Sequence, residues 1–259
     1  MAKFITDFSE MLANPKYLTE FAFGIWETLY STVIATAFAC LLGLVLGVLL
    51  IVGEKDGVHP LPSPLMKVLN FIVNIVRSVP FLILMLFVLP LSKVLLGTRI
   101  GTPASIPPLI IAAAPFIARL VETSLRELDK GVLEAAQAMG CSPWQIIWKV
   151  MLPECLPSLI SSFTTAFITI LGYGAMAGAI GGGGLGKIAI NYGYNRYNYA
   201  VMLVAVVLIV ILVQIFQSIG SHFAVRLDKR VSQKARKGAV HGTSAKVQRD
   251  MRKPPELMR

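Results

Sequence analysis

The chain has 259 residues, of which 55% are hydrophobic and only 15% charged, with a formal net charge of +10; its mean hydropathy is +0.70. A water-soluble globule of this size needs more polar surface, so the composition excludes one and places the chain in a bilayer. Its charge-free stretches match the roughly 20 residues that a helix needs to cross about 30 Å of hydrocarbon, and the short alternating strands of a membrane barrel are absent. The reading is an all-α polytopic membrane protein with five transmembrane helices.

Residues 1–20 carry Lys3, Asp7, Glu10, Lys16 and Glu20 among apolar residues. They lack the unbroken apolar run of a cleaved signal peptide and read as an extension ahead of the first span. That span is placed over 24–52, where no charge interrupts Thr28 to Val52 and where Gly43 and Gly47 offer a small-residue face for close helix contact. The charges and Pro60, Pro62 and Pro64 make 54–67 a loop. A second span is expected over 69–96, with Arg77 near its cytoplasmic end, where the side chain can snorkel or pair with a neighbouring helix. The third covers 102–124 and contains Arg119 and Glu122, three residues apart on one helix face.

A polar stretch separates this span from the fourth, over 157–178. The glycines Gly181 to Gly184 and the Tyr and Asn residues up to Tyr199 then suggest an irregular connection at the membrane edge. Tyr192, Tyr194, Tyr197 and Tyr199 fit an interfacial aromatic belt or, alternatively, a docking surface for a protein that delivers substrate. The fifth span runs over 199–223, and 227–259 forms a basic tail suited to anionic lipid or to disorder. Most of the 24 lysines and arginines then fall on one side, which sets the N-terminus outside and the C-terminus in the cytoplasm. An odd number of spans does not divide into an inverted repeat, so a homodimer is the simple way to enclose a pathway.

Cys40, Cys141 and Cys155 have no metal-ligand spacing and read as packing residues, while His59, His222 and His241 are scattered. No metal site and no nucleophile–base set is visible, so no catalytic residue is assigned. Gly181, Gly186 and Lys187 match part of a phosphate-binding loop, but Ile188 stands where Ser or Thr would hold magnesium. The chain is therefore expected to bind no cofactor and to leave ATP hydrolysis to another protein.

The polar stretch has local chemistry of its own. Leu133 to Met139 favours a short helix, Gly140 suits a left-handed C-terminal position, and Ser142, Pro143 and Gln145 form an N-cap, a first-turn proline and a capping box. Pro153 and Pro157 are expected to break the second helix. Two short cytoplasmic helices over 130–152 result. A structured loop between spans fits them as well as a functional element does; a DNA-binding motif does not, because Lys149 is the sole cation from Val132 to Pro153.

Glu134-Ala135-Ala136, then Gly140, then Val150-Met151-Leu152-Pro153 resemble the EAA signature of bacterial ABC importer permeases, with Val150 in place of the usual Ile. The resemblance covers about Gly24 to Arg226. WETL from Trp26, NIVRSVPFLIL from Asn74, APFIARLVE from Ala114 and GYGAMAGAIGGGGLG from Gly172, followed by NYGYNRYN, are similar to the methionine permease subfamily. It implies a type I ABC importer permease fold in the bacterial inner membrane and a loop that serves as coupling helix for a separate cytoplasmic ATPase carrying ATP and magnesium. Glu134, Ala135, Ala136, Met139, Gly140, Leu152 and Pro153 would form that coupling element, with Ala135, Ala136 and Met139 as a shallow apolar face. An outer substrate-binding protein, a second copy of the chain, membrane lipid and an amino-acid substrate are the other implied partners; nucleic acid is not one. Methionine follows from the likeness alone, so another amino acid or small zwitterion stays open.

Two further readings concern charged and flexible side chains within the spans. Arg77, Arg119 and Glu122 read as structural pairs near span ends rather than as a substrate site. Met176, among Gly172, Gly174 and Gly178, is a candidate for narrowing the pathway where two copies meet, with ordinary core packing as the alternative. A self-sufficient channel or ion-coupled carrier would need a polar filter or a mid-membrane acid, and the central parts of the spans hold no Asp or Glu.

Overall fold

The structure, a computed structural model, describes residues 14–227 together with Phe8 and Met11; most of the N-terminal extension and the basic tail from residue 228 lie outside the described residues. Helix α1 spans Pro15–Val52. It starts well before the expected 24, because Asn14 accepts a hydrogen bond from the Lys16 amide at 3.0 Å and Pro15 follows in the first turn. This cap pair starts a helix whatever charges come after it.

Residues 54–67 are not all loop. Helix α2 spans Ser63–Ser78, and Pro64 sits in its first turn, where a missing amide hydrogen costs nothing. The expected continuous span over 69–96 is also corrected: α2 stops at Ser78, α3 occupies Phe81–Leu96, and the two meet at 109°. Pro80 causes the break, since its ring pushes the preceding residue out of the helical region, and Val79 is extended at φ −79°, ψ 128°. Arg77 therefore lies in the last turn of α2, beside the break; it is exposed and in no ion pair among the described residues.

Helix α4, Thr102–Arg126, is the hub on which α1, α3 and α8 (Leu156–Ala177) pack. Leu109, Ala113, Ile117, Ala118 and Val121 on it are fully buried. Gly43 and Gly47 of α1 face this helix as expected: a Cβ on Gly47 would lie 2.6 Å from the Ala118 carbonyl oxygen and from Val121 Cβ. Gly47→Val is accordingly expected to destabilise the protein by about 1–3 kcal/mol through overpacking. A thermal midpoint equal to the parent's in detergent would show that the α1–α4 contact is looser than described.

Between α4 and α8 lie α5 (Lys130–Ala138), α6 (Pro143–Ile146), a π-turn over Ile147–Met151 and α7 (Leu152–Glu154). After α8, a 3₁₀ turn, Gly178–Ile180, leads to α9 (Gly184–Ile188), a second π-turn, Ala189–Tyr194, and α10 (Tyr199–Leu227), which packs along α8. Four long apolar helical stretches and the bent α2–α3 pair supply up to five spans. Phe38, Leu41 and Val45 on α1 and Val206, Val207 and Val210 on α10 stay exposed. Apolar residues turned outward in this way suit lipid contact.

Candidate functional site

The first element is the hairpin of short helices after α4. Asp129 caps α5 by accepting from the Gly131 amide at 2.7 Å. At the other end Gly140 adopts φ +74°, its amide donates to Gln137 O, and the Cys141 amide donates to Ala136 O. These two bonds close α5 in a Schellman turn. Ser142 and Gln145 then exchange capping-box bonds that open α6. Pro153 does not break the second helix, contrary to expectation. The π-turn ahead of it, closed by the Leu152 amide on Ile147 O, widens the helix where the proline ring would otherwise meet the carbonyl one turn back, and the chain stays helical through Glu154.

The apolar face of this hairpin differs from the expected one. Val132, Ala135 and Met139, at spacings of three and four, share the outer face of α5, and Met139 is 76% exposed. Ala136 is turned inward and only 2% exposed, packed in the core with Leu125, Ile146 and Met151. Successive helical residues point about 100° apart, so Ala135 and Ala136 cannot both face out. Trp144 on α6 and Trp148 in the π-turn after it are also exposed, 68% and 52%, with ring centroids 5.6 Å apart. Glu134 is exposed on the wall of a cavity of about 550 Å³ between α5, the end of α4 and the α1–α2 loop. Leu152 is half-buried and Pro153 exposed.

A line of charges ties the root of this hairpin to the spans. Glu122, buried, accepts from Arg119 Nη1 at 2.5 Å and from Arg126 Nη2 at 2.7 Å. Arg126 also pairs with Glu54 of the α1–α2 loop. Arg119 Nη2 donates to Asn70 Oδ1 at 2.7 Å and to Asn74 Oδ1 at 3.1 Å on α2. The expected Arg119–Glu122 pair is thus present, and it belongs to a chain of contacts joining the α1–α2 loop, α2 and α4. Arg77 takes no part in the ion pairs.

At the opposite end, Glu27 of α1 accepts from Thr102 Oγ1 at 2.6 Å and from the Gly184 amide at 2.8 Å, while Thr28 Oγ1 accepts from the Leu185 amide at 2.9 Å. Gly184 sits at φ +81°, the left-handed region, which lets its amide turn toward Glu27. The Gly182 amide is likewise taken, by Ala177 O. Three amides of this segment, those of Gly182, Gly184 and Leu185, are thus committed to internal partners. On α8, Met176 is half exposed, and a Cβ on Gly172 or Gly174 would meet nothing within 4 Å, so this side of α8 is open.

Residues 60–233 match the family described as the binding-protein-dependent transport system inner membrane component. The chain belongs to this family. A probable D-methionine transport system permease protein, MetI, of Vibrio cholerae serotype O1 is 50% identical over 205 residues, covering 79% of this chain and 91% of that protein. The methionine import system permease protein MetP of Bacillus subtilis is 50% identical over 164 residues, covering 63% and 74% respectively. An inward-facing structure of the MetNI methionine ABC transporter superposes with a TM-score of 0.81 at 43% identity, over 83% of this chain and all of that one. The chain is an inner-membrane, multi-pass permease subunit with the ABC importer permease fold, and its role is transport.

Within the permease, the hairpin residues Glu134, Ala135, Met139, Gly140, Leu152 and Pro153 cluster at one end, and Met176 and Glu27 lie toward the other. The sequence reading missed Trp144 and Trp148. Their i,i+4 spacing directly after a capping box was the available signal. It also missed Glu27, whose partners lie 75 and 157 residues away along the chain.

Proposed function

We propose that this permease imports methionine. Two copies would form the pathway, a separate cytoplasmic ABC ATPase would dock on the α5–α6 hairpin and supply ATP and magnesium, and an outer binding protein would deliver the substrate. The N-terminus would lie outside and the C-terminus in the cytoplasm. The observation that carries this reading is the exposed face of Val132, Ala135, Met139, Trp144 and Trp148 on a doubly capped hairpin. Exposed tryptophans on a rigid element are the composition of an interface anchor, and the likeness to methionine permeases supports the cargo. The Glu54–Arg126–Glu122–Arg119 line supplies the route by which movement of α5 would reach α1, α2 and α4.

Uptake of labelled methionine by vesicles holding this chain with its ATPase and binding protein tests the reading. ATP-dependent uptake that unlabelled methionine competes with, and other amino acids do not, is expected; competition by any amino acid would reject the assigned cargo, and uptake without ATPase would point to a self-sufficient carrier.

Met176 would narrow the pathway between the two copies. Its flexible side chain projects from an open stretch of α8. Met176→Ala is expected to raise passive methionine efflux from these vesicles about tenfold, the effect of removing about 1.4 kcal/mol of barrier. Efflux and ATP-driven uptake both at parent rates would leave Met176 an ordinary packing residue.

A further inference from the structure

At the end of the molecule opposite the α5–α6 hairpin, a cavity of about 590 Å³ lies between the first turns of α1 and the segment from Gly184 to Arg196. Its wall holds opposite charges that do not pair with one another. Glu20 accepts from the Tyr192 hydroxyl through Oε1 at 2.8 Å, while its Oε2 is buried and has no hydrogen-bond partner. A buried carboxylate oxygen left without a donor is costly, and because Glu20 lines the cavity a turn of its side chain would bring this oxygen to a donor that arrives from outside. The other carboxylate in the wall, Glu27, is already satisfied by Thr102 and Gly184, which leaves Glu20 as the free acceptor.

The cations in the wall are Lys187 and Arg196. Neither is in an ion pair among the described residues, and the Arg196 guanidinium lies 4.7 Å from the centroid of the Tyr192 ring. One unfilled anionic acceptor beside two unpaired cations is complementary to a ligand that carries a primary ammonium and an anion a short distance apart. The depth of the cavity narrows the choice. Phe23, in its wall, and Trp26, one turn further on, are each 62% exposed, and Tyr194, Tyr197 and Tyr199 are exposed beside it. Such a collar of aromatic side chains sits at the level of lipid headgroups.

We propose that this cavity binds the headgroup of an amine-bearing zwitterionic phospholipid. The ammonium donates to Glu20 Oε2, Lys187 and Arg196 hold the phosphate, and the acyl chains run along the face of Phe23. A free amino acid carries the same pair of charges, so the test separates the two sources.

The full chain, purified with its ATPase, is reconstituted separately with phosphatidylethanolamine, phosphatidylcholine or phosphatidylglycerol, and retained lipid is counted by native mass spectrometry. Phosphatidylethanolamine is expected to be retained about tenfold better than phosphatidylcholine, whose methylated ammonium donates no hydrogen bond, and about tenfold better than phosphatidylglycerol, which has no cation. Glu20→Gln and Lys187→Gln should each reduce that retention by a similar factor. Lys187 is exposed and makes no ion pair among the described residues, so its variant reports on binding without a folding defect. Equal retention of the three lipids, indifference to both substitutions, or displacement of the lipid by millimolar free methionine would overturn the proposal. Methionine uptake is measured on the same samples, so failure of the import reading registers separately from failure of the lipid site.

Discussion

Gly140→Val is expected to leave the permease inserted and assembled while abolishing ATP-coupled transport. Gly140 ends α5 at φ +74°, a conformation that costs a β-branched residue about 1–2 kcal/mol. A Cβ there would meet nothing within 4 Å, so the penalty is one of backbone and not of collision. The turn relaxes by swinging α6 relative to α5, which re-aims Trp144 and Trp148 relative to Met139 and alters the surface offered to an ATPase. Asn tolerates the left-handed region, so Gly140→Asn should recover most of the coupling, which a purely steric account would not allow. Glu134→Lys, at an exposed position on the same hairpin, should weaken ATPase binding in a way that fades as salt screens the surface. The measurements are membrane insertion, co-purified ATPase and solute moved per ATP. Parent-like coupling in Gly140→Val would remove the hairpin from the mechanism.

Glu122→Ala should produce the largest loss of stability, about 3 kcal/mol. The Glu122 side chain is 10% exposed and its carboxylate serves two guanidinium groups. Arg126 has a side chain 48% exposed and keeps Glu54, so it rehydrates; that of Arg119 is 21% exposed and is left with only the neutral Asn70 and Asn74. The penalty therefore falls mainly on Arg119. On this reasoning the thermal midpoint in detergent drops by roughly 6–12 °C, and adding Arg119→Ala restores part of it because no charge is then stranded. A double variant less stable than Glu122→Ala alone would contradict the assignment of the penalty to Arg119.

Features governed by local chemistry were legible in the sequence. Gly140, Ser142 with Gln145, the Gly43–Gly47 face and the Arg119–Glu122 pair all depend on residues within a few positions of each other, and each stands where the sequence put it. Charge-free length gave away most of the spans for the same reason. The break at Pro80 was hidden because a single proline barely changes the hydropathy of a long apolar run, although it decides the path of the backbone. The π-turn at Ile147–Met151 was hidden because Pro153 has two solutions, ending a helix or widening it, and local sequence does not choose between them. Ala136 was misplaced by treating a motif as a face when three consecutive residues span most of a helical turn.

The link from Glu27 to Gly184 has a consequence for biogenesis. The carboxylate is synthesised 157 residues before the amide it binds, an interval on the order of ten seconds at ordinary rates of translation. Until α9 emerges, α1 waits with an acid near the membrane surface that has at most Thr102 as a partner. Packing of α1 on α4, both made before α9, is what keeps Glu27 in position for the amides of the glycine segment. Seating of the Gly184 turn against Glu27 is thus a late, long-range closure step, and chaperones of membrane insertion would meet an unfinished permease whose first span is in place before the segment it fastens to has been made.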